Sequence, residues 1–301
     1  MTGPTPSELY RWRTGWPAAA PTGRGPVLVV ALEGWVDAGL GASAALTDLL
    51  GTGPTEIVAE FDGEELIDQR ARRPIARLAN GVTAELTWPA IRLVSSTDQL
   101  GADVYYLTGP EPDFRWRTFT TAVVDIARTI GAQMVVGLGA FPAPAPHTRP
   151  VRLASTAPEQ SADLARRIGF VQGTIEVPAG IQAVLELAMA DAGIPAVGLW
   201  ARVPHYVAAM PYPEASAALV DGLCALTGLA FDTSSLHEAA RASRRQVDEL
   251  VAGNDEHRDM VSRLERAVDA EEGAPFAFGD EVPSGDEIAA ELEKFLRNED
   301  G

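Results

Sequence analysis

Apolar and polar positions follow two rhythms along the chain. Residues 26–32 (PVLVVAL), 134–139 (MVVGLG) and 195–203 are continuous apolar runs of strand length, as expected of strands covered on both faces. Residues 42–50, 115–130, 161–168, 180–192 and 214–226 instead repeat their apolar positions at helical spacing, and Gly51, Gly131 and Gly193 stand where three of these helices should stop. Residues 55–61, 91–94, 104–107 and 173–177 predict further short strands. Residues 75–78 and 83–86 flank Asn80-Gly81, a pair that supplies the positive φ angles of a tight hairpin turn. Strands alternating with helices predict crossover units around a mostly parallel central sheet, an α/β fold with one antiparallel insertion.

The pattern changes near residue 232, which divides the chain into a core (1–231) and an acidic helical arm (232–301). Residues 233–270 predict one uninterrupted helix with a heptad seam. Ala240, Val247, Asn254, Val261 and Val268 form its a-like set. Leu236, Ser243, Leu250, His257 and Leu264 form the d-like set. Of these, Leu236, Val247, Leu250, Asn254, His257, Val261 and Leu264 are the candidate association residues, with Asn254 and His257 as polar positions that set register. An acidic linker (271–285) and a short amphipathic helix (286–296) are predicted to follow.

Charge and composition narrow the chemistry. The net charge of −18 argues against nucleic acid and anionic membrane as partners. Lys294 is the only lysine, which removes a Schiff-base or phosphate-loop lysine from the core. Cys224 is the only cysteine, so neither a disulfide framework nor a cysteine metal site is expected. No apolar run has the roughly 18-residue length of a membrane span. The opening MTGPTPSELYRWRTGWP lacks the apolar centre of a secretory signal, so a cytoplasmic location is expected.

Three polar loops follow the three longest apolar runs: residues 33–41, 140–150 and 204–213. Ligands of open α/β sheets bind beyond the carboxyl ends of the strands, so neighbouring strands would bring Glu33, Trp35, Asp37, His147, Thr148, Arg149, His205 and Tyr206 into one crevice. Two histidines and two carboxylates could serve as acid and base or as metal ligands. The structural alternative is a lattice of loop caps and internal ion pairs. No pair has a recognised metal-ligand spacing, and neither metal nor cofactor is expected. Gly39-Leu-Gly41-Ala-Ser43-Ala44 fits the form of a dinucleotide fingerprint, with Glu60 and Asp62 about twenty residues on, but six residues separate it from its strand. Its glycines could equally serve close packing of a helix on the sheet. Gly41-Ala-Ser43-Ala-Ala45 falls one residue short of a nucleophile elbow.

Several segments together resemble the proteasome assembly chaperone two family in its actinobacterial branch. They are Glu33-Gly-Trp-Val-Asp37-Ala-Gly, the hairpin before Trp88-Pro89, Leu107-Thr-Gly-Pro-Glu-Pro-Asp113 with Arg115-Trp116, Pro146-His147-Thr-Arg-Pro150, and Leu199-Trp-Ala-Arg-Val-Pro-His205-Tyr-Val. The tail Leu292-Glu-Lys-Phe-Leu296 fits as well. The resemblance implies a three-layer α/β/α fold similar to that of phosphorylases and peptidyl hydrolases, and a homo-oligomer, a trimer. Eukaryotic relatives pair and help order proteasome α-subunits. No catalytic residues carry over.

The expectation is therefore a non-enzymatic assembly, chaperone-like or scaffolding protein that associates with itself and with other proteins. The alternative is a small-molecule enzyme, nucleoside-phosphorylase-like or hydrolase-like, using the crevice around His147 and His205.

Overall fold

The computed structural model describes residues 3–17, 25–171 and 173–270. In chain order the elements are β1 (Tyr10–Trp12), β2 (Val27–Glu33), α1 (Gly41–Gly51), β3 (Glu56–Phe61), α2 (Gly63–Leu66), β4 (Ile75–Ala79), β5 (Val82–Thr87), β6 (Arg92–Thr97), β7 (Asp103–Pro110) and α3 (Trp116–Thr129). They continue with β8 (Met134–Ala143), β9 (Leu153–Thr156), α4 (Ala162–Ile168), α5 (Ile181–Asp191), β10 (Ala196–Pro204), α6 (Pro213–Thr227), α7 (Ser234–Ala252) and α8 (Asp255–Ala270). The expected strand over 173–177 does not form. That segment is exposed and carries no ladder. The expectations for 271–285 and 286–296 lie outside the described residues.

Eight strands make one sheet in the order β1-β3-β6-β7-β2-β8-β10-β9. The central four, β7, β2, β8 and β10, are mutually parallel. The flanking pairings are antiparallel. Since β3 turns back to the direction of the centre, most of the strands point one way. The apolar runs explain this layout. Alternate residues of β2 go to opposite faces, and all of Val27 to Ala31 are buried.

Helices cover both faces. α1, α6 and α7 pack with Val29, Val136, Leu138 and Leu199 in one apolar cluster. α3 and α5 pack with Leu28, Val30 and Leu107 in the other. The result is a three-layer α/β/α arrangement.

The predicted hairpin forms a separate two-stranded sheet, β4 with β5, with Asn80 (φ 50°) and Gly81 (φ 81°) at its turn. Every residue of both strands is exposed.

The arm differs from the continuous helix expected over 233–270. It breaks at Gly253-Asn254 into α7 and α8. Asn254 lies outside any helical seam: its side-chain oxygen accepts the backbone N–H of Glu256 (2.8 Å) and of His257 (3.3 Å), capping α8. Ala240, Val247, Val261 and Val268 are all buried, as the periodicity requires. Leu236 and Val247 are covered by the chain's own core, joining the cluster that includes α6 and the central strands. Leu250 points outward and is 53% exposed, while His257 and Leu264 are half-buried.

Candidate functional site

The chain leaves the carboxyl end of β2 through α1 toward β3 on one side of the sheet. It leaves β8 for the other side of the sheet, first to the edge strand β9 and then through α4 and α5 to β10, with α5 on the opposite face. The boundary between β2 and β8 is therefore a topological switch point, where open α/β sheets hold ligands. The strands also part there. Their pairing ends at Val30 opposite Gly137, while β2 stays on β7 through Glu33 and β8 stays on β10 through Ala143. A cavity of about 160 Å3 occupies the split.

Trp35, Glu33, Glu111, Gln182 and Trp200 line this cavity, and among the described residues no lysine, arginine or histidine does. Trp35 is 60% exposed and lies beside Gly180 and Glu111. Trp200 lies flat on Gly139, where any β-carbon would meet its ring. The loop residues Glu33, Trp35 and Asp37 thus sit together at one site.

Asp37 has a local task. One of its oxygens accepts the backbone N–H of Ala42 at 2.8 Å. The other accepts the N–H of Ser43 at 3.0 Å and its hydroxyl at 2.7 Å. The first turn of α1 is thereby closed by a carboxylate of the chain itself. This answers both readings of the glycine stretch. The donors that would hold a pyrophosphate are already bonded, and Ser43 is tied to Asp37. Gly41 serves close packing: a β-carbon there would stand 2.9 Å from that of Ala140 and 3.1 Å from that of Ala215. Glu111 repeats the device at α5, accepting the N–H of Ile181.

His147, Thr148, Arg149 and Tyr206 are gathered elsewhere, beneath the arm. The Tyr206 hydroxyl accepts the His147 backbone N–H at 2.8 Å and lies 2.7 Å from Nδ1. The Nε2 of His147 lies 3.1 Å from Asp248 on α7. Burial pushes the Tyr206 phenol up and holds the His147 imidazole below its ordinary range. One protonation pattern satisfies every partner: Tyr206 donates to Nδ1, and a neutral His147 donates from Nε2 to Asp248. Thr148 donates to Glu265 at 2.5 Å. Arg149 pairs with Asp269 through two hydrogen bonds of 2.8 and 2.7 Å and with Glu265 at 3.3 Å. The loop 146–149 is therefore clasped by α7 and α8. His205 begins the short helical turn after β10 and packs edge-on against Tyr206, with ring centroids 5.4 Å apart. Neither histidine lines the cavity at the split.

The eight loop residues thus fall into two groups. Glu33, Trp35 and Asp37 belong to the switch-point crevice. The others belong to the clasp and the turn beside it, the lattice that the structural alternative describes.

A third group was not singled out from the sequence. Glu186 is buried on α5, accepting from Thr156 (3.0 Å) and Gln182 (3.4 Å), and burial raises its carboxyl to about 7. Thr156 also accepts the Trp200 indole N–H at 3.0 Å. Gly198 makes room, since a β-carbon there would stand 2.5 Å from the Glu186 carboxyl and 2.6 Å from the Thr156 hydroxyl. This network fixes Gln182 and Trp200, two walls of the cavity. The available signal was Gly137, Gly139 and Gly198 interrupting otherwise bulky strands.

Fold and site together define a three-layer α/β/α protein with a split parallel centre and a C-terminal helix pair closed over one of its loops. The model of the PAC2 family matches residues 31–251, and the chain belongs to that family. A Mycobacterium tuberculosis proteasome-assembly chaperone homologue is 37% identical over 78% of this chain and 99% of its own, with a TM-score of 0.72. A PAC2 family protein from Streptomyces avermitilis is also 37% identical, over 78% and 99% of the two chains, with a TM-score of 0.69. A second M. tuberculosis protein, of unknown function, is 33% identical over 91% and 95%, with a TM-score of 0.82. No curated protein matches the chain. Among the described residues no helix is long and apolar enough to cross a membrane, and no group of three or more metal-ligating side chains is gathered.

Proposed function

We propose that this protein is a non-enzymatic assembly or scaffolding protein, built as a homo-oligomer and acting on other proteins. Similarity to a proteasome-assembly chaperone homologue supports the class. The observation that carries the reading is the β4–β5 hairpin. Ile75, Leu78, Val82 and Leu86 are 73, 65, 66 and 47% exposed, and Trp88 beside them is 50% exposed. A two-stranded sheet is marginal in water on its own, and here both faces carry exposed apolar side chains, Ile75 and Val82 on one and Leu78 and Leu86 on the other, which suits a hairpin held between neighbouring chains. The occupant that fits is a second copy. Arg72 and Arg77 are paired with Asp113 and Glu85 of the same chain, and Arg70 and Arg73 add exposed positive charge beside the hairpin in a molecule of net charge −18, so the surface of another copy is complementary to it. A closed ring of three copies would bury every hairpin alike.

The reading as an enzyme built on the two histidines has less support. Both ring nitrogens of His147 are engaged, and the ring is buried behind α7. A general base must reach the proton it moves.

Sizing with multi-angle light scattering tests the proposal. The full chain of 31.9 kDa should elute as a particle of about three chains. Replacing Leu78, Val82 and Leu86 by serine should give a folded monomer. A monomeric wild type, or a variant of unchanged mass, sinks the proposal.

A further inference from the structure

We infer that the crevice between the split ends of β2 and β8 binds an ammonium or guanidinium group, with Trp35, Trp200, Glu33 and Glu111 as its recognition surface. The inference is independent of the oligomer and stands on three observations.

The first is the space. At about 160 Å3 the cavity is smaller than the ~300–1,000 Å3 of pockets that enclose whole drug-sized ligands or cofactors. It holds a terminal group and leaves the rest of the ligand outside.

The second is the sign of charge. Two helices, α1 and α5, begin at this crevice, and their free N–H groups would ordinarily draw an anion. Each beginning is already closed by a carboxylate of the chain, Asp37 on one and Glu111 on the other. Glu33 adds a third carboxylate, and among the described residues no cationic side chain lines the cavity to balance it. A phosphate or carboxylate would find the helix N–H groups already taken and the Glu33 carboxylate facing it, whereas a cation meets net negative charge.

The third is the pair of indoles. Trp35 leaves 60% of its surface in water at the mouth, against Glu111 and Gly180. Trp200 forms an inner wall, seated on Gly139 and held by Thr156. Aromatic faces beside carboxylates attract cations through the ring quadrupole, most strongly for tryptophan. The glycines of β8 and β10 and the Glu186–Thr156 network give Trp200 one fixed place, so this surface is set before any ligand arrives.

The group can come on a free small amine or on a peptide side chain. The probes are agmatine, a capped peptide Ac-Ala-Ala-Arg-Ala-Ala-NH2, and the same peptide with neutral citrulline in place of arginine. Binding to the full-length protein is followed by calorimetry and tryptophan fluorescence at about 20 mM and about 500 mM salt. Saturable binding of agmatine or of the arginine peptide is expected, weakened at high salt. Binding should fall about fivefold or more in Glu33→Gln and in Trp35→Ala, both exposed and dispensable for folding. The citrulline peptide should bind at least about tenfold more weakly. A peptide that binds about tenfold better than agmatine assigns the site to a protein partner, and the reverse order assigns it to a free amine. Absence of saturation by both cationic probes up to about 10 mM, equal binding of the citrulline peptide, or unchanged affinity in both variants overturns the inference.

Discussion

Tyr206 holds His147 at two points, accepting its backbone N–H and pairing with its ring Nδ1 through one hydroxyl. That hydroxyl joins the loop after β8 to the turn after β10, and His147 passes the connection on to Asp248 of α7. Tyr206→Phe leaves a buried N–H and a ring nitrogen without their partner. A loss of about 1–3 kcal/mol in urea unfolding is expected, together with faster hydrogen exchange in α7. Unchanged exchange in α7 would show that the hydroxyl does not hold the arm.

The same histidine gives the clasp a pH dependence. Burial keeps the imidazole below its ordinary value in the folded chain. Between that lowered value and the unfolded value near ~6.5, the unfolded chain carries a proton that the folded one lacks. Stability therefore rises with pH across this window and falls as pH drops below ~6.5. Comparing wild type with His147→Asn, the stability difference should shrink from about pH 7.5 to about pH 5.5. A difference independent of pH is the contrary result.

Glu186 works in the opposite sense. Its carboxyl titrates at about 7 in the folded chain against an ordinary 4.5. From pH 4.5 upward the unfolded chain gives up this proton first, so stability declines as pH rises toward 7 and levels off above it. Glu186→Gln keeps the shape and removes the titration. Relative to wild type it should gain on the order of 3 kcal/mol between about pH 4 and about pH 8 by chemical denaturation. Parallel curves for the two proteins would dismiss the buried-acid assignment.

Gly198→Ala places a methyl group against the Glu186 carboxyl and the Thr156 hydroxyl. Overpacking of about 1–3 kcal/mol is expected. Because Thr156 also holds the Trp200 indole, the tryptophan emission should shift as well. A destabilised protein with unaltered emission would separate Gly198 from the crevice.

Arg149 and Asp269 offer a calibration. Their bidentate pair is half exposed, at 34 and 46%. A double-mutant cycle should return only a weak coupling that falls with added salt. A strong coupling that salt leaves unchanged would mean that the clasp is shielded from water more than its exposure indicates.

The sequence disclosed the elements better than it disclosed their partners. The apolar runs of β2, β8 and β10 and the Asn80-Gly81 turn are local signals, and each appears where expected. The short strands β1 and β9 were missed, being only Tyr10–Trp12 and Leu153–Thr156 and drawing their pairing from β3 and β10. The arm shows why periodicity alone misleads. Val247 and Val261 are both buried and two heptads apart, so the helix break at Gly253-Asn254 leaves the count undisturbed. An asparagine followed by Asp255 and Glu256 is a helix-start signal that outweighs the heptad there. The division of the three loops was not readable at all. Thr148 and Arg149 are claimed by Glu265 and Asp269, more than a hundred positions away, and only tertiary packing brings such charges together.

The clasp also sets an order of events during synthesis. The loop 146–149 leaves the ribosome long before Asp248, Glu265 and Asp269 exist, so the nascent domain first meets the cell with that face open. Closing so long a loop is slow relative to forming local helices, and domains fold in the order in which they emerge. The α7–α8 pair is then a late closure over an otherwise finished sheet, and a nascent chain stalled before Asp248 would present His147 and Tyr206 to whatever binds it first.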